Sequence, residues 1–437
     1  MRPSKALNLA TFAVDVIHLC LLVYIAINFL IHIGSLAAPG AFDTAVRQTY
    51  GKFCDFRSYY AVGRVAASDE KANAMDPVVQ KASYCRTATP PDTRCDDWSQ
   101  IIYAPFFALA MIPFAQLPVQ ASFVCWSFVG ISAFIAALMA IGFSQTPRRS
   151  WIAPVAIAVG LLAAMPTWRC AIIGQASFMI GTLLAFFYFA WMRGHDRLAG
   201  VLMAFTTFKP QFIPFTLVPA LAQKKWAMLI VFAISEVILY GAVALFLGVK
   251  PITDFVSAML NISKSALPPS WSDTFTMLSA RALLSYLPKK LEVACAALIF
   301  LAVLGLLFWL WKRAQPLGNG ESSRRLVAAT IVATLAGSIF SQLYDAVILA
   351  VPAALTLATV GARNMAESGW RSRLWWLSFY VYPISSWLAW TVLGRTNPMS
   401  YHYFTLLLIA QAALGVSLVL RPPAATPGVP ADAESPQ

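Results

Sequence analysis

Residues 226–248 read WAMLIVFAISEVILYGAVALFLG, twenty-three positions with a single charge, Glu236. A helix needs about 20 apolar residues to cross the ~30 Å hydrocarbon layer of a bilayer, so this run is long enough to span. Lys224-Lys225 close one end and Lys250 the other. Working outward, further apolar runs occupy 210–222, 198–208, 168–192, 151–166, 119–143, 101–117 and Leu7 to Ile33 on one side. On the other side lie 290–311, 326–340, 346–360, 374–392 and 402–420. Composition agrees. Apolar residues make up 59% of the 437 and charged residues 12%, against roughly 45–50% and about 25% in soluble domains. Soluble, disordered, collagenous and disulfide-scaffold classes are excluded, which leaves an all-α polytopic membrane protein.

The net charge of +13 raises the question of nucleic-acid binding. Its distribution answers that. Arg2, Lys5, Arg148, Arg149, Arg193, Arg197, Lys224, Lys225, Lys312, Arg313, Arg324, Arg325, Arg363, Arg371, Arg373 and Arg421 all sit in short connectors or at the ends. Only Asp196, Glu321, Glu367, Asp432 and Glu434 accompany them. Cations concentrated in short loops mark the cytoplasmic side, so the excess is a topology signal and nucleic acid is not an expected partner. Both termini then fall inside, which requires an even number of spans. About twelve are expected, and the suspects for an incomplete crossing are 101–117, broken by Pro113, and the pair 151–166/168–192.

The first run, Leu7 to Ile33, reads as a retained anchor because no small-residue cleavage site follows it. Residues 1–421 then form one transmembrane domain. The stretch 35–99 is the longest polar segment, and its eight basic and eight acidic residues balance; a long neutral loop of this kind translocates outward. A second outward loop covers 249–290, and Ser272 to Leu287 patterns as an amphipathic surface helix. The Pro-rich tail 422–437 reads as disordered and cytoplasmic. Of the seven cysteines, Cys54, Cys85 and Cys95 share the long loop. A Cys85–Cys95 disulfide is the first choice there, with a pair involving Cys54 or three free thiols as the alternatives. No Cys/His spacing points to a metal.

Polarity inside the apolar framework collects on the outer side. Cys54-Asp55-Phe56-Arg57-Ser58-Tyr59-Tyr60-Ala61-Val62-Gly63-Arg64 patterns as a membrane-surface helix opening on a carboxylate, and Asp55 is either a functional group or that helix's N-cap. Tyr103-Ala104-Pro105-Phe106 opens the next span, where an aromatic belt also accounts for it. Arg169 and Gly174-Gln175 begin another span. Lys209-Pro210 interrupts 198–222, and each half is too short to cross upright, so the break belongs beside a protein-enclosed or watery cavity with Lys209 at the outward tip. Gln342-Leu343-Tyr344-Asp345 joins two short runs. Asp15, His18 and Glu236 read as helix-packing hydrogen-bond partners. Outer cations suit an anionic lipid head, and a carboxylate near a hydroxyl suits a general base. Together they sketch a phosphate-linked sugar donor handed to a hydroxyl acceptor.

These motifs, in this order, resemble glycosyltransferase family 87, the polyprenyl-phosphate-sugar-dependent enzymes of GT-C fold that include mycobacterial mannosyltransferases of phosphatidylinositol-mannoside synthesis. The resemblance covers about residues 10–410. It rests on Asp55-Phe56 with Tyr59-Tyr60, on Tyr103-x-Pro105 running to Pro113 and Leu117-Pro118, on Gly174-Gln175, then Gly200 and Phe208-Lys209-Pro210-Gln211 ending in Lys224-Lys225-Trp226, and on Tyr344-Asp345. It implies that Asp55 is the catalytic base of an inverting transfer and that Lys209, Arg169, Arg64 and Gln175 hold the donor phosphate. Tyr59, Tyr60, Tyr103, Tyr344, Asp345 and His402 are expected to contact substrate. Relatives often carry His before Tyr-Asp; here Ser341-Gln342-Leu343 stands there, and His402 is the outer-side His that remains. The expected partners are a polyprenyl-phosphate sugar, mannose or another hexose or pentose, and a lipid or glycan acceptor, handled by a monomer in a bacterial inner membrane without cofactor or metal. A transporter of a lipid-linked saccharide would instead predict internal repeats, and the two halves of the chain show none.

Overall fold

The computed structural model describes residues 20, 23–35, 55–87, 98, 100–144, 159–260, 277–318, 320–338, 340–357, 370–371, 374–375, 378–379, 386, 388, 392 and 398–420. Every regular element among these residues is helical, and their one extended pairing is an isolated antiparallel bridge between Met277 and Gln342.

After α1 (Val23–Ser35) come two loop helices, α2 (Asp55–Ala66) and α3 (Pro77–Arg86). Asp55 opens α2 and Arg64 ends it, each charge facing the favourable pole of the helix dipole. Asp76 caps α3, its Oδ1 accepting from the Val78 amide at 2.9 Å, and Pro77 fills the first position, where no amide is missed. Ser83 Oγ donates to the Ala61 carbonyl at 3.1 Å and ties α3 to α2. Cys85 is disulfide-bonded; its partner lies outside the described residues.

The expectation of a lipid-surface helix at 54–64 needs correction. Every residue of α2 from Phe56 to Val65 except Arg64 is buried by protein. The reason is α4 (Phe106–Ala115), which packs along it. A Cβ on Gly63 would lie 2.6 Å from the Met111 carbonyl oxygen, so only glycine allows the two backbones to approach this closely.

Next come α5 (Val119–Phe143), α6 (Met165–Ile172) and α7 (Ser177–Met192). The run 168–192, read in the sequence as one span, is broken at 173–176 and bent by 118°. Gly174 takes φ +68 there, a left-handed conformation that glycine adopts without a Cβ penalty. The interrupted run 198–222 becomes α8 (Asp196–Thr206), a 3-10 turn at Pro210–Phe212 and α9 (Ile213–Ala222). Then follow α10 (Trp226–Phe246), α11 (Lys250–Leu260), α12 (Lys289–Arg313), α13 (Glu321–Gly337), a 3-10 segment Leu343–Leu349, α14 (Ala350–Leu357) and α15 (Pro398–Leu420).

Among the described residues four helices are long and apolar enough to cross a membrane, namely Val119–Gly142, Trp226–Phe246, Lys289–Arg313 and His402–Leu420; the bent α6–α7 pair, taken as one span, makes a fifth. Several of the other expected runs lie partly or wholly outside the described residues, as do Asp15, His18 and the tail 422–437. α10 leaves Ile230, Ile234, Val237, Ile238, Leu245 and Phe246 exposed, a surface that only hydrocarbon solvates well. Glu236, the one charged group of this helix, is half-buried. α13 is the opposite case. From Leu326 to Gly337 it is buried on every side, as a helix at the centre of the protein must be. The expected amphipathic helix at 272–287 appears, from residue 277 onward, as a short 3-10 turn, Ala280–Leu284. Its apolar Leu278 and Ala282 are buried in protein while Tyr286 stays exposed.

Candidate active site

The α6–α7 break is where five other parts of the chain meet. The Phe56 amide donates to the Ile173 carbonyl at 3.0 Å, and Trp126 Nε1 donates to the Gly174 carbonyl at 2.9 Å. These bonds take up carbonyls that a broken membrane helix would leave unsatisfied. They also fix the first turn of α2 directly over Gln175. The Ala104 amide donates to the Phe208 carbonyl at 3.0 Å, which brings Tyr103 and Lys209 to the same point. The 3-10 segment Leu343–Leu349 supplies Asp345, and the Gln342 amide donates to Asp345 Oδ2 at 2.9 Å.

Gln175 is the hub. Its Nε2 donates to Asp55 Oδ2. Its Oε1 accepts from the Tyr59 hydroxyl at 2.9 Å, the Tyr103 hydroxyl at 3.2 Å and Lys209 Nζ at 3.3 Å. The two tyrosine hydroxyls are 2.9 Å apart. Beneath them Phe107 stacks on Phe208 at 5.5 Å and meets Tyr59 and Tyr103 edge-on, an apolar floor that excludes water from the hydrogen bonds above it.

The two carboxylates of the cluster are held differently. Asp345 is buried and saturated: besides the Gln342 amide it receives Ser177 Oγ at 2.6 Å and Lys209 Nζ at 3.2 Å. Asp55 is partly open and, among the described residues, has one side-chain hydrogen-bond donor, Gln175. Burial pushes its pKa up to about 6, against the pull of the Gln175 hydrogen bond and the charges of Lys209 and Arg169, with Asp345 adding to the rise.

Seven of the residues singled out in the sequence therefore converge: Asp55, Tyr59, Tyr103, Gln175, Lys209, Tyr344 and Asp345. Lys209 lies 5.4 Å from the Tyr344 ring centre and 5.6 Å from that of Tyr103. Arg169 is close enough for its charge to act on both Asp55 and Tyr344. Lys209 stands at the break between α8 and α9, shut off from water. It is only 1% exposed, because an ammonium paired with Asp345 and bonded to Ser177 and Gln175 has no free direction left for solvent.

Three expected residues lie elsewhere. Tyr60 donates its hydroxyl to the Leu117 carbonyl at 2.8 Å. Arg64 is exposed, its Nη1 reaching the Ala115 carbonyl at 3.4 Å. The His402 ring pairs with the Tyr286 hydroxyl at 2.9 Å. Sequence reasoning missed Ser177, whose one signal was a hydroxyl two positions after Gln175. It also missed Trp126, which a run of apolar residues conceals.

The model of glycosyltransferase family 87 matches residues 101–342, more than half of the chain. The chain belongs to glycosyltransferase family 87. Comparison with curated proteins and with solved structures returns no match. The family stretch holds Tyr103, Arg169, Gln175, Ser177 and Lys209; Asp55 and Tyr59 precede it, and Tyr344 and Asp345 follow it directly. This family 87 protein is thus a helical, membrane-embedded glycosyltransferase, acting on a sugar donor and an acceptor.

Proposed function

We propose that this enzyme transfers a sugar, with inversion, from a polyprenyl phosphate to a hydroxyl of a lipid- or glycan-linked acceptor, at the outer face of a bacterial inner membrane. The architecture in this reading is of GT-C type with about twelve spans and both termini inside. One observation carries the mechanism: of two carboxylates in the cluster, Asp55 alone is partly open, and its pKa is raised to about 6. A general base works best when its pKa lies near the working pH.

In the reaction, the acceptor oxygen forms its bond to the anomeric carbon as its proton passes to Asp55. The bond from that carbon to the phosphate oxygen breaks, and its electron pair leaves with the polyprenyl phosphate. A phosphate is already a good leaving group. One carboxylate therefore suffices, where hydrolysis of an ordinary glycoside needs two. Arg169, whose charge reaches Asp55, is the cation suited to the departing phosphate. The exposed apolar flank of α10 leaves the catalytic domain accessible to a donor arriving through lipid.

The test is transfer by purified, reconstituted enzyme from a panel of polyprenyl-phosphate hexoses and pentoses, with membranes of a deletion strain as acceptor. Asp55→Asn is expected to fold and bind donor while turnover falls at least ~10²-fold, the lower end of what general-base catalysis contributes. Transfer from a nucleotide sugar alone would overturn the donor class. Wild-type turnover by Asp55→Asn would overturn the base.

A further inference from the structure

We propose that the buried Lys209–Asp345 pair is a positioning device for Asp55, acting through the side-chain amide of Gln175. The inference rests on Asp55 being the base and concerns what holds it ready.

The two ends of a Gln amide are chemically opposite, one accepting and the other donating, and neighbours decide which way it lies. Around the Gln175 oxygen stand Lys209 Nζ at 3.3 Å and the Ala176 amide at 3.2 Å. An ammonium and a backbone N–H can only donate. The atom facing them must be the oxygen, and the Tyr59 and Tyr103 hydroxyls add two more donors on the same side. The NH2 end is then forced onto Asp55 Oδ2, where it favours the ionised, proton-accepting carboxylate. A flipped amide would set an NH2 against an ammonium and an oxygen against a carboxylate.

Lys209 in turn is fixed by Asp345 and Ser177. A buried pair of this kind adds little net stability beyond what apolar residues of the same size would give. Its value here is directional. Together with the Ala176 amide it forbids one of the two orientations of Gln175, and Lys209 makes no direct hydrogen bond to Asp55 among the described contacts. The other titratable groups facing Asp55 are Arg169, Tyr59, Tyr103 and Tyr344, and none of them dictates the amide.

The readout needs no turnover. Carbodiimides modify carboxyls in their protonated form, so modification of Asp55 in the purified full-length enzyme, followed by peptide mass spectrometry against pH, reports its proton affinity. In Gln175→Met the midpoint is expected to rise by about one pH unit, because the carboxylate loses its donor. Lys209→Met with Asp345→Leu removes both charges together, and the midpoint is expected to rise in the same sense. Adding Gln175→Met to that pair is expected to give no further rise, since groups acting through one another are non-additive. The direct pull of the Lys209 charge on Asp55 is opposed by that of Asp345; fully additive shifts would mean that the pair acts by charge alone and not through the amide, and an unmoved midpoint in Gln175→Met would mean that the amide does not act at all. Either result overturns the proposal, and Gln175→Met alone decides it if the charge-pair variant does not fold. Failure of the base assignment is read separately, from transfer by Asp55→Asn.

Discussion

At the scale of single residues, Asp55 carries a pH signature. In the proposed mechanism the ionised form is the base, and its share falls as pH drops below the pKa of about 6. The kcat/KM profile is expected to lose tenfold per pH unit on the acid side of that value; a profile flat down to pH 4.5 would remove Asp55 from proton transfer. Gly174 makes a stability prediction. Its φ is +68, and a Cβ there would lie 2.4 Å from Phe56 Cβ. Gly174→Ala combines a left-handed backbone with a clash and should cost about 2–4 kcal/mol, read as a lower Tm in detergent. Asp55 and Gln175 could be picked out from residue type alone, as carboxylate and amide in an apolar chain. Their contact could not, because 120 positions separate them and the break that joins them is invisible to a hydropathy window.

At the scale of elements, the close seams are set by small residues. α2 lies on α4 only because Gly63 has no side chain. Gly63→Val would push α2 off α4 and carry Asp55 and Tyr59 with it. The expected outcome is a lower Tm together with a loss of transfer, and Asp55 carbodiimide reactivity returning to that of an exposed carboxyl. A variant with lowered Tm but an unaltered Asp55 would separate the seam from the site. The interrupted run at Lys209-Pro210 was legible, since proline and a cation cannot sit in mid-span unaided. The second break, at 173–176, was not. Ile173-Gly174-Gln175-Ala176 carries one amide but no charge and no proline, so a window average over it stays apolar. Tertiary partners create this break, the Phe56 amide and the Trp126 indole taking the freed carbonyls.

At the scale of the whole molecule, the surface separates into lipid-facing and protein-facing helices. Val237 lies near the middle of α10 and is 74% exposed. Val237→Lys should disfavour insertion by about 2.5–3.5 kcal/mol, the cost of a lysine at a helix centre. A microsomal insertion assay would show this as a falling share of inserted chain; unchanged insertion would mean that α10 does not face lipid. The membrane class was plain from composition, since a chain with 12% charged residues cannot solvate its own surface. The buried fate of Lys209 was beyond composition. Its partner Asp345 lies 136 positions away, and a sequence shows charges without showing which of them meet.

The bond from the Phe56 amide to the Ile173 carbonyl also imposes a timetable. Some 120 residues separate donor from acceptor, and at 5–20 residues per second the ribosome needs roughly 6–24 s to make them. Throughout that interval α2 exists with its carboxylate but without the helix break it must cover. The loop helix has to wait, already exported in the proposed topology, for a later part of the chain to be threaded into the bilayer beside it. The cluster around Asp55 therefore stays open until residue 173 is made and is complete only with Asp345, and in the proposed mechanism a chain stalled anywhere before residue 173 would be inserted in part and catalytically empty.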